Sequence, residues 1–159
     1  MEPKIEMINK TGKNWRIAIV VSRFNEGVTG GLKQGALDYL AEHGIRVDEA
    51  DMFPAPGAFE IPLLAQALAE SGKFDGVVCL GCVIKGDTAH FEFISLGTTM
   101  GLMQSMLATR VPLAFGIITT YTEEQAQARS RNDAHNKGRE AAAACIEALE
   151  TLARIKFSP

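Results

Sequence analysis

Three cysteines and a single tryptophan in 159 residues remove several architectures at the outset. An odd set of thiols, Cys79, Cys82 and Cys145, in a chain large enough to bury a core argues against a disulfide framework and for reduced thiols. Long apolar runs are also missing: stretches such as 17–21 and 111–118 fall far below the roughly 20 residues that cross a bilayer, so no membrane span is expected. Charge excess is missing too. Sixteen basic against nineteen acidic residues give a formal charge of −3, and the bases are scattered, which leaves no positive field for nucleic acid. Residues 1–14 lack the apolar centre of a secretory signal, so a cytoplasmic location is expected.

What is present is ordinary globular composition, 47% hydrophobic and 22% charged, at the length of one domain. Residues 16–22 form a short continuous apolar run, as in a strand covered on both faces. Leu32, Ala36, Leu37 and Leu40 then recur at helical spacing, and Gly44 stands where such a helix stops. Residues 47–53 read as a second strand ended by Pro54 and Pro56, followed by a helix over 61–70. Residues 76–80 read as a third strand, 81–90 as a loop, 91–107 as an apolar helix and 111–118 as the last strand. Two helices, 123–131 and 137–155, complete the chain. Strands alternating with helices imply a parallel, doubly wound α/β sheet, whose ligands sit at the carboxyl ends of the strands.

The loops at those ends carry the chemistry. Phe24 follows the first strand and offers a ring on which a planar ligand can stack; a Phe there equally closes the end of the core. Glu60, in Pro56-Gly57-Ala58-Phe59-Glu60-Ile61-Pro62, suits the hydroxyls of a polyol, or complements a helix dipole. Residues 81–90 join Gly86, Thr88 and His90 just before a helix, a candidate phosphate cradle that lacks the Walker spacing. His90 is the strongest proton-transfer candidate; His43 and His135 read as surface residues. Arg129, Arg131 and Lys137 cluster between the last helices, either holding phosphate or forming a solvated basic face. Cys79 and Cys82 match C-x-x-C, but three-residue spacing on a strand places them on opposite faces and no second ligand pair exists, so neither redox nor zinc chemistry is expected.

In order, these segments resemble the lumazine synthases: residues 17–21 with Arg23-Phe24-Asn25, residues 56–62, Gly86-x-Thr88-x-His90, Phe115-Gly116-Ile117 with Thr119-Thr120, and Gln125-Ala126 through Arg129 to Asn136-Lys137-Gly138. The match covers about residues 16–152. It implies a three-layer, flavodoxin-like sandwich with a four-stranded parallel sheet over residues 15–159. It implies an N-terminal extension, residues 1–14, able to add a strand to a neighbouring subunit. It further implies small-molecule substrates, homo-pentamers or a sixty-subunit shell of pentamers, association with riboflavin synthase, and no cofactor or metal.

The reaction implied is condensation of 5-amino-6-ribitylaminouracil with 3,4-dihydroxy-2-butanone 4-phosphate. On the resemblance, Phe24 stacks on the pyrimidine and the backbone of Cys82, Val83 and Ile84 reads its polar edge. Asn25, Ala58, Phe59 and Glu60 hold the ribityl chain. Gly86, Asp87 and Thr88 receive the phosphate with Arg129 of a neighbour, His90 moves protons, and a neighbour's Phe115 and Lys137 close the pocket. The chain departs from the family in carrying Lys85 where many members have Arg, Asp87 beside the phosphate, and the turn 130–135. The competing expectations are a flavin- or nucleotide-binding module and a structural shell protein; lumazine formation from the two substrates separates both from the enzyme.

Overall fold

The computed structural model describes residues 14–157, so the expected N-terminal extension lies outside the described residues except at Asn14. Strands β1 Ile17–Ser22, β2 Met52–Ala55, β3 Gly76–Ile84 and β4 Leu113–Thr120 form one sheet in the order β2-β1-β3-β4, every pairing parallel. The helices are α1 Glu26–Glu42, α2 Ile61–Glu70, α3 His90–Thr109, α4 Glu123–Ser130 and α5 Lys137–Phe157.

Side-chain alternation along β1 and β3 divides the core in two. Ile17, Ile19, Val78, Leu80 and Cys82 pack with Leu32 and Leu40 of α1 and Ile146 of α5. Ala18, Val20, Val77, Cys79 and Val83 pack with Ile61 and Ala65 of α2 and Leu102 of α3. Burial on both faces is why the two central strands are unbroken apolar runs; truncating Ile19 or Leu80 to alanine should cost about 2–5 kcal/mol. Cys79 and Cys82 accordingly belong to opposite layers.

Winding reverses between β1 and β3, because the chain steps outward from β1 to β2, returns past β1 to β3, and continues to β4. Connections leaving the carboxyl ends of β1 and β3 therefore part toward opposite faces and leave a crevice between them. That crevice is where Phe24, Asn25 and the residues after Ile84 emerge.

Three strands differ in their bounds from the sequence expectation. The second strand is Met52–Ala55, not 47–53, and Pro54 lies inside it, paired with Val21. Because β2 is an edge strand, a residue without an N–H is tolerated, and residues 49–51 instead make a 3₁₀ turn. There Asp51 accepts two hydrogen bonds from Arg16, at 3.1 and 2.9 Å. The third strand runs to Ile84, so 81–84 is strand and only the remainder of 81–90 is loop or helix start. Gly81 marks close packing instead of a turn: a Cβ there would sit 3.1 Å from both Ile117 Cδ1 and Ile61 Cδ1. The last strand likewise begins and ends two residues later than expected.

Candidate functional site

Asn25 stands at the hinge between β1 and α1 with φ 61, a left-handed conformation that asparagine adopts more readily than most residues. Its carbonyl accepts the N–H groups of Val28 and Thr29 at 3.0 Å and so starts α1. Its side-chain amide donates across the crevice to the Cys82 carbonyl at 3.1 Å. Phe24 beside it is 68% exposed and so does not close the end of the core.

Ala58, Phe59 and Glu60 form a 3₁₀ turn leading into α2. Ala58 is buried, whereas the ring of Phe59 is 57% exposed and rests on α3 at Gly97. Cys82 and Val83 are buried at the end of β3, so these residues meet the crevice through backbone alone. Burial pushes the Cys82 thiol up to about 11 and the Cys145 thiol up to about 12, with Cys79 raised as well. None of the three is a nucleophile near neutrality.

Gly86, Asp87, Thr88 and His90 are all exposed where β3 passes into α3. Thr88 Oγ1 accepts the His90 N–H at 3.3 Å, which draws the loop over the first turn of a 20-residue helix. Free N–H groups and a hydroxyl at such a start favour an anion, and the imidazole of His90 stands beside them.

A second group lies along the exposed edge of the sheet. Phe115, Thr119, Arg129, Lys137 and Glu140 line a groove of about 400 Å³ on β4, with Phe115 50% exposed. Thr122 caps α4 by accepting from Gln125 N at 3.2 Å, and Arg129 Nη1 donates to the Gln125 carbonyl at 3.0 Å. Lys137 Nζ lies 2.7 Å from Glu140 Oε2. This groove includes neither Phe24 nor His90, so one chain presents its candidate residues as two groups on different surfaces.

The sequence reading assigns no role to two residues near these groups, Glu140 in the groove itself and Asn136 at the α4–α5 elbow. Glu140 pairs with Lys137, and their i,i+3 spacing was the available signal. Asn136 is 1% exposed; its Nδ2 donates to the carbonyls of Gly31 and Arg131 at 3.0 and 2.8 Å, and its Oδ1 accepts the Arg139 N–H at 3.0 Å. It caps α5 and ties the α4–α5 elbow to α1, a distant contact with no local sequence signature.

The family model for 6,7-dimethyl-8-ribityllumazine synthase matches residues 14–153. A Caulobacter vibrioides protein named 6,7-dimethyl-8-ribityllumazine synthase 1 is 63% identical over 141 residues, which is 89% of this chain and 92% of that one. The Salinibacter ruber 6,7-dimethyl-8-ribityllumazine synthase is 49% identical over 141 residues, covering 89% and 90%.

Proposed function

This chain belongs to the 6,7-dimethyl-8-ribityllumazine synthase family, and from that membership we propose how its two groups of residues share the work of condensation. The protein is a transferase of riboflavin biosynthesis with a flavodoxin-like α/β fold, and it joins 5-amino-6-ribitylaminouracil to 3,4-dihydroxy-2-butanone 4-phosphate. The observation that carries the division of labour is the exposed Phe24 ring at the β1–β3 reversal, beside an amide locked onto the Cys82 carbonyl.

Phe24 stacks on the pyrimidine, and backbone groups of Cys82, Val83 and Ile84 read its polar edge. Ala58, Phe59 and Glu60 hold the ribityl hydroxyls, with Asn25 at their end. Gly86, Asp87 and Thr88 take the phosphate at the start of α3. The substrate amine adds to the ketone, and His90 relays the two amine protons to the former carbonyl oxygen, which departs as water and leaves an imine. Loss of phosphate then requires removal of a proton beside the imine while the departing anion is held. Much of the acceleration comes from bringing two intrinsically reactive partners together. Incubating the protein with both substrates and following lumazine formation tests the reading; the absence of product would sink it.

The protein takes small-molecule substrates and assembles with copies of itself. The finer reading is a pentamer, alone or built into a sixty-subunit shell, in which Phe115, Arg129 and Lys137 of one subunit complete the crevice of the next. Two features support it. Phe93, Leu96, Met100, Met103 and Leu107 recur at 3-4-3-4 spacing on α3 and are 51–73% exposed, a seam that calls for other helices. The edge of β4 also carries its groove on the outside of the chain. A cytoplasmic site of action accords with three free, buried thiols.

A further inference from the structure

Lys85 is the first residue past β3, where its N–H donates to the Thr120 carbonyl at 2.9 Å and extends the ladder by one step. Alternation from Val83, which packs in the α2–α3 layer, returns the Lys85 side chain to that same side. Its ammonium lies 5.7 Å from the centroid of the Tyr121 ring, and that ring lies 6.1 Å from Phe91 in the first turn of α3. Among the described residues Lys85 forms no salt bridge. A positive charge is thus held on an aromatic shelf beside a helix start, where the dipole opposes cations and favours anions. Asp87, two residues on, places a negative charge next to the loop that takes the phosphate.

We propose that Lys85, shelved on Tyr121, contacts the phosphate of the keto-phosphate substrate and offsets the charge of Asp87, with Tyr121 as the positioning residue. The inference rests on the functional reading above. A dianion entering the 86–88 loop meets Asp87 at once, and Lys85 supplies the compensating charge from the same chain, independently of Arg129.

Steady-state kinetics of the assembled enzyme, varying each substrate separately, tests this. Lys85→Met should raise the KM for the keto-phosphate roughly fivefold, the upper range for an exposed ion pair, with kcat and the KM for the uracil substrate little changed. Lys85→Arg should restore wild-type values, because guanidinium also stacks on a tyrosine ring. Tyr121→Phe should keep them and Tyr121→Ser should not. Inorganic phosphate, as a competitive inhibitor, should bind more weakly to Lys85→Met and to Tyr121→Ser. A keto-phosphate KM and phosphate inhibition within about twofold of wild type in Lys85→Met overturns the proposal. A wild-type protein that forms no lumazine overturns the functional reading instead.

Discussion

Asn25 and Cys82, 57 positions apart in the chain, are joined by a 3.1 Å hydrogen bond from the Asn25 amide to the Cys82 carbonyl. The bond spans the place where the winding of the sheet reverses, and so fixes the loop carrying Phe24 relative to the end of β3. Asn25 has two duties, since its left-handed backbone also begins α1. Replacement by glycine removes only the amide, whereas alanine removes the amide and adds the strain of positive φ.

The order of thermal stability should therefore be wild type, then Asn25→Gly, then Asn25→Ala, with glycine ahead of alanine by roughly 1 kcal/mol. Both variants should lose kcat/KM. Thermal unfolding at matched protein concentration reads the order, and an alanine variant as stable as the glycine variant would remove the strain argument.

His90→Ala should slow turnover about 100-fold, the lower end for loss of a general acid–base group, without abolishing it. The surviving rate reflects the positioning of two reactants by the rest of the crevice. Turnover measured with both substrates saturating checks this, and an undetectable rate would count against the weight given to positioning.

Arg129→Ala should raise the keto-phosphate KM about tenfold or more, as expected for a lost charge-assisted hydrogen bond. If the crevice is completed by a neighbour, co-assembling the weakened His90→Ala and Arg129→Ala chains should regain activity above either parent at low keto-phosphate, because some mixed interfaces then carry both native residues. Mixed assemblies no more active than the average of their parents would place Arg129 and His90 in the same subunit's site.

Met100→Glu sets a carboxylate in the exposed seam of α3, where Met100 is 52% exposed in the single chain. The chain should fold but assemble poorly, since an unpaired charge is costly inside an apolar interface. Light scattering should report a mass well below that of the wild type; an unchanged mass would take α3 out of the assembly surface.

The thiols respond to alkali in a defined sense. Cys82 and Cys145 have folded-state values of about 11 and 12, above their ordinary value of 9.0. Folding therefore favours the protonated forms. Their contribution to stability is present in full below pH 9 and is lost as pH rises through about 11 to 12. At pH 8 a thiol reagent should react slowly with the native protein and rapidly after denaturation. Fast labelling of the native protein would contradict the burial of all three cysteines.

Residues 17–21 and 76–80 were legible as strands because two-sided burial leaves an uninterrupted apolar run. Gly44 was legible as a helix stop and does adopt a positive φ, 75. Gly81 was misleading: glycine at a turn and glycine beneath a crowding isoleucine look the same in sequence, and only Ile61 and Ile117, brought in from other elements, distinguish them. Pro54 misled similarly, because its tolerance depends on β2 being at an edge.

By itself the sequence determined the alternation of strands and helices, the two-faced core and the strand-end positions of Phe24, Ala58 to Glu60, Gly86 to Thr88 and His90, since each follows from side-chain pattern within a few residues. Only tertiary structure decided that Asn25 reaches Cys82, that Lys85 lies over Tyr121, that Asn136 grips α1, and that Arg129 and Lys137 occupy a separate groove on β4. Those relations depend on strand order, and strand order is set by whole apolar faces seeking cover together, a property no local stretch of chain contains.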